Sequence, residues 1–184
     1  MTKFLLAVHV IAAIVAVGPV TVAASMFPPA ARKLLEAPED AGALATSRLL
    51  HRVCQVYAVA GVVVPVFGFA TASAMGVLGD TWLIVSIALT ALAAVVLAAL
   101  VLPGQSAVLE GALQDRTDQV GTAQEGVLHD GVLQEVGLQG GVLRVKAVDR
   151  AATVRLAMFT GLFNLLWATV TVLMIIRPGS TTGA

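Results

Sequence analysis

The chain has 184 residues, of which 58% are hydrophobic and 12% charged, about half the roughly 25% charge of a soluble domain. Eleven basic and eleven acidic residues cancel, which leaves no global basic excess for nucleic acid. The single cysteine, Cys54, excludes an intrachain disulfide and a paired-cysteine metal or redox motif.

Four stretches contain no Asp, Glu, Lys or Arg: Phe4 to Ala31, Val53 to Gly79, Thr81 to Leu109 and Leu156 to Ile176. About 20 apolar residues, rising 1.5 Å each, cross a hydrocarbon layer ~30 Å thick. In lipid the backbone must satisfy its own hydrogen bonds, so each stretch reads as a helix. The expectation is an all-α polytopic membrane protein: one domain over 1–184, an antiparallel four-helix bundle with spans at 4–27, 53–77, 82–102 and 156–176. A long cytoplasmic loop, 103–155, joins the third and fourth spans.

The first stretch resembles a signal peptide in its Lys3 start and its Ala23-Ala24-Ser25. Its apolar run continues to Phe27, longer than the usual 7–15-residue core of such a peptide, so it is read as a retained span. His9 is the one clear ionisable side chain inside a span, and such residues mark function by default. Ala12, Ala13, Ala16, Val20 and Ala23 share its helical face. Small residues permit close helix approach or leave room for a flat ligand, so His9 is expected to face the bundle interior.

The next loop carries Pro28, Pro29, Pro38 and Gly42. It is expected to be irregular at first, then helical, with Ser47 or Thr46 as the cap. His51 opens the second span beside Arg52 and reads as interfacial; Cys54 and Tyr57 read as ordinary packing near that interface. Gly18-Pro19 and Pro65 to Gly68 are expected to kink their helices. Gly79 and Asp80 form a tight turn, which makes spans two and three antiparallel neighbours.

Pro103-Gly104 is expected to kink or break the third helix. Val108, Leu109, Ala112, Leu113 and Val120 then give a helix-like apolar face. A crude repeat follows, with Gly-Val-Leu at Gly126, Gly131 and Gly141. Its five-residue step fits neither helix nor strand, and it reads as a weakly helical low-complexity hairpin or, more sharply, as a docking surface. From about Leu143 one long helix is expected to run into the fourth span, and 178–184 to be a disordered tail.

Nine basic residues sit in the loops before spans two and four, against two (Lys3 and Arg177) elsewhere. Cytoplasmic loops carry such an excess, so both termini are placed outside, and Trp82 falls at the outer interface as a belt residue. On span four, Thr160, Asn164, Trp167 and Thr171 are spaced to share a face. Thr71, Ser73, Ser86 and Thr171 are expected with His9 in one sparse polar layer that ties helices together, and Asn164 and Trp167 are also expected inside. No phosphate loop, zinc-protease pair or nucleophile elbow is present. No intramembrane carboxylate is available for a proton relay, and the scattered methionines give no copper site.

The stretch from Lys3 through His9 to Gly18, with Arg48 to Gly68 and the ending Met174-Ile-Ile-Arg177-Pro178, resembles a broad bacterial set. It includes the copper-resistance protein D domain and the HemJ-type protoporphyrinogen oxidases, and within it the chain looks most like an uncharacterised four-helix integral membrane family. The resemblance implies a multi-pass protein of the bacterial cytoplasmic membrane. In haem-handling members of the set the first-helix histidine ligates haem, a role that falls here on His9. The chain departs from the oxidase pattern, because span three, Trp82 to Leu102, has no lysine.

Two functions follow as expectations. The first is a non-catalytic accessory or scaffold subunit of a membrane complex, with the bilayer, other membrane proteins or a second copy as partners. The alternative is a redox protein binding haem b, with His9 Nε2 as axial ligand and Lys3 or Arg177 pairing with the propionates. A bis-histidine site in that case requires a homodimer.

Overall fold

The computed structural model describes residues 2–125 and 135–179, with side chains over 3–118 and 150–179. Six α-helices are described: α1 (Thr2–Glu36), α2 (Ala41–Ala60), α3 (Val63–Met75), α4 (Thr81–Val96), α5 (Leu102–Glu125) and α6 (Glu135–Ile176). No strand occurs among the described residues. Four helical stretches are long and apolar enough to cross a membrane: Lys3–Glu36, Ala41–Met75, Thr81–Asp118 and Arg150–Ile176. Three contain their expected span whole, and the second ends at Met75, two residues short of the expected 77; most of the excess length lies at the end away from the chain termini, called the loop end below.

Several corrections follow from how these helices begin and break. α1 stays helical through Pro28 and Pro29, although neither proline has an N–H for the carbonyl four residues back. Phe27, Ala31 and Leu34, all at most 1% exposed, bury one face of this segment, and that packing outweighs the lost bonds. The cap of α2 is Asp40, whose carboxylate accepts from the N–H of Gly42 at 2.8 Å and of Ala43 at 3.2 Å. Ser47 and Thr46 both lie inside α2. The break in the second span falls at Gly61 and Val62, one turn before Pro65. Pro65 cannot donate to the Gly61 carbonyl, which takes the Val64 N–H at 3.1 Å instead.

The third span is not broken at Pro103. A π-helical turn, Leu97–Val101, joins α4 to α5, and the Leu102 N–H reaches the Leu97 carbonyl five residues back. The wider turn makes room where the proline ring would meet the preceding turn, and Pro103 then occupies the first turn of α5, where a missing N–H costs little. α3 ends at Gly76 with φ 71°, its N–H and that of Val77 closing onto Ser73 and Ala72. The turn to α4 therefore runs through Gly76 to Asp80. The expected repeat lies largely outside the described residues, as does 180–184 of the expected tail.

α1 packs against α2 and α3 on one side and against α6 on the other; α4 packs on α6, and α5 rests against α2 and α6. The staves thus follow the ring α2/α3, α1, α6, α4/α5. Ala24, Ala31 and Ala93 are fully buried at the seams, where small residues let backbones approach. The outward faces are apolar: Phe4, Ile14, Val59, Leu165 and Ile175 are each more than 60% exposed. Water-soluble monomers rarely leave such contiguous patches uncovered.

Candidate functional site

His9 faces inward, as its small-residue face implies, and is 9% exposed. Ala16, Val20 and Ala23 on the same face are buried, and Ala12 and Ala13 half-buried. Its Nδ1 lies 3.1 Å from the carbonyl oxygen of Val64, directly past the break between α2 and α3. A carbonyl only accepts, so Nδ1 carries a proton and donates. The ring lies over Gly68: a Cβ at that position would be 2.9 Å from Cε1 and 3.3 Å from Nδ1. Gly68 is therefore the seat of the imidazole, and the histidine ties α1 to the interrupted second span.

The expected polar layer is only partly brought together. Thr71 and Ser86 are buried, but each bonds its own helix, to Phe67 O at 2.7 Å and Trp82 O at 2.8 Å. Asn164 and Trp167 are half-buried. Ser73 is exposed, and Thr171 is exposed and donates to Trp167 O at 2.9 Å, so the expected interior positions of both are corrected. The physical reason is that a short hydroxyl in a helix reaches the carbonyl one turn back without needing a neighbour. Asn164 does cross between helices, its Nδ2 donating to Ser25 Oγ at 2.9 Å.

A second inter-helix cluster lies toward the loop end. His51 Nδ1 is 2.9 Å from Gln105 Oε1, and Gln105 Nε2 donates to Cys54 Sγ at 3.5 Å. Gln105 and Cys54 are fully buried, and the Phe27 ring centroid lies 6.5 Å from that of His51. His51 is therefore half-buried and bonded to α5, not simply interfacial. Gln105 was assigned to the loop by its place after Pro103-Gly104. The signal that placed it in the bundle was the uncharged window continuing to Leu109.

At the termini end Trp82 Nε1 donates to Asp80 Oδ2 at 2.9 Å, and the Arg177 guanidinium lies 5.7 Å from the Trp82 ring centroid. Asp80 gives its carboxylate to this bond and makes no side-chain cap for α4. Among the described residues no group of three or more His, Cys, Asp or Glu is placed to hold a metal ion.

These features define, over the described residues, a helical fold with four stretches long and apolar enough to cross a membrane and inter-helix ties built from histidine, glutamine and asparagine. No protein-family model, curated protein or solved structure matches it.

Proposed function

We propose that this is an integral membrane protein of the bacterial cytoplasmic membrane, with four spans and both termini outside, acting as a non-catalytic accessory or scaffold subunit of a membrane complex. The membrane reading is supported by the apolar outward faces and by the nine-to-two bias of basic residues toward the loop end. The scaffold reading is carried by His9: this ionisable side chain inside the first expected span is bonded to a backbone carbonyl and packed on Gly68.

The test is purification from native membranes in mild detergent. A stoichiometric partner is expected to co-purify, and to be lost when residues 119–149 are replaced by a short glycine-serine linker. The replacement must begin beyond Gln105, Val108, Leu109 and Ala112, because these are core residues. A wild-type chain that purifies without a partner overturns the reading.

The haem alternative has one favourable feature. A ligating histidine usually donates its other ring N–H to a carbonyl, as His9 Nδ1 does. Two features weigh against it: the imidazole packs on Gly68, and the cleft between α1 and α6 is lined near Ser25 and Asn164, without His9. Titration with haem should therefore give no Soret band that disappears in His9→Ala; such a band would reinstate the alternative.

A further inference from the structure

A cleft of about 390 Å³ opens between α1 and α6, within the range of small-molecule sites. Ser25, Pro28 and Arg32 line one wall, and Thr160, Gly161 and Asn164 the other. Thr21, Thr71, Thr90, Thr169 and Thr171 each donate to a carbonyl of the preceding turn. Thr160 does not: it is 3% exposed, and its Oγ1 has no partner.

Asn164 Oδ1 is likewise buried without a partner. Its amide orientation is fixed by its neighbour. Ser25 Oγ donates to Thr21 O at 2.7 Å and so only accepts from Asn164 Nδ2. Oδ1 thus has an unused acceptor capacity. At the mouth, Arg32 is exposed, and no carboxylate pairs with it among the described residues. Arg32 lies seven residues beyond Ser25, about 10 Å along the helix axis.

We propose that this cleft binds a monoacyl glycerophospholipid, an inference that rests on α1 and α6 crossing a bilayer. The phosphate pairs with Arg32. The free glycerol hydroxyl donates to Asn164 Oδ1, and the remaining ester carbonyl accepts from the Thr160 hydroxyl. Gly161 leaves the path of the acyl chain open. Depth selects among the hydroxyl-bearing lipids. The hydroxyl acceptor lies deeper than the guanidinium, as the glycerol backbone lies deeper than the phosphate, whereas a headgroup hydroxyl lies farther out. A diacyl lipid carries an ester in place of the free hydroxyl, so it leaves the asparagine oxygen unpaired.

The experiment uses the full chain in a phosphate-free neutral detergent, with retained ligand read by native mass spectrometry. The probes are monooleoyl glycerophosphate, dioleoyl glycerophosphate and acyl-free glycerophosphate. The monoacyl probe is expected to bind about tenfold tighter than the diacyl one, the scale of one hydrogen bond with its desolvation, and the acyl-free probe more weakly than either. Asn164→Leu should remove the monoacyl preference, and Arg32→Gln should weaken both lipids. Gly161→Leu should abolish binding of both by filling the cleft. A Cβ at that position meets nothing within 4 Å, so the variant is not strained. Equal affinity for the two lipids, equal affinity for acyl-free glycerophosphate, or unchanged binding in Gly161→Leu overturns the proposal. A chain recovered in the water-soluble fraction would instead overturn the membrane reading beneath it.

Discussion

Gly68→Ala puts one methyl group where the His9 ring now lies. The added Cβ would be 2.9 Å from Cε1, closer than real Cβ contacts, so the ring must leave or α1 must separate from α3. Overpacking of this kind costs about 1–3 kcal/mol. Loss of the bond to Val64 adds about 0.6 kcal/mol, the average for inter-helix hydrogen bonds in membranes, and at most about 1.7 kcal/mol. The expected loss is about 2–4 kcal/mol, read as a shift in denaturing-detergent unfolding of the purified protein. The cycle with His9→Ala makes the reasoning specific. Alanine at position 9 removes the ring that the new methyl meets, so the double variant should be more stable than Gly68→Ala alone. If the two effects simply add, His9 and Gly68 are not coupled and the tie between α1 and the broken span is refuted.

Three further outcomes are expected from the same unfolding assay. Gln105→Leu should cost about 1–3 kcal/mol, because it leaves His51 Nδ1 in a half-buried site without its acceptor; adding His51→Phe should recover part of that loss, since removing both partners is less costly than removing one. Asp40→Ala should cost about 1 kcal/mol by uncapping α2, whereas Thr46→Ala, inside the helix, should cost clearly less. Gly76→Ala should cost about 1–2 kcal/mol, because φ 71° places a side chain in the left-handed region; an unchanged midpoint there would count against the tight end of α3.

The inward position of His9 was legible because alanines recur on its own face, and in a membrane bundle small residues mark where helices meet. Helical spacing of polar residues failed as a guide for Thr171. On α6 the buried positions are Thr153, Leu156, Thr160, Phe163, Leu166 and Val170, so of the polar stripe only Thr160 lies on the buried face itself. Asn164 and Thr171 each follow a packed residue by one position, about 100° around the helix, which leaves them on the shoulder of that face. A polar stripe at helical spacing establishes that its members share a side, but the bulky apolar residues decide which side turns inward. The Asp40 cap was equally readable, as an acidic residue preceding a run of small helix formers, but Ser47 and Thr46 drew the assignment toward the start of the apolar stretch.

Proline was the least readable signal, because its effect depends on where the helix can rearrange around it. Pro28 and Pro29 leave α1 helical, held by the buried Phe27, Ala31 and Leu34. Pro65 is preceded by Gly61, and the second span opens there, placing the Val64 carbonyl where His9 takes it. Pro103 is preceded by a run that widens into a π turn, and the helix continues, which carries Gln105 into the bundle opposite His51 and Cys54. Both inter-helix histidine bonds therefore stand beside a proline-driven departure from regular helix. Local distortion turns backbone or amide groups toward neighbouring staves, and histidines on α1 and α2 meet them. Replacing Pro65 or Pro103 by alanine should for that reason act on His9 or His51 respectively, and each ring's proton chemical shift reports whether its bond has moved.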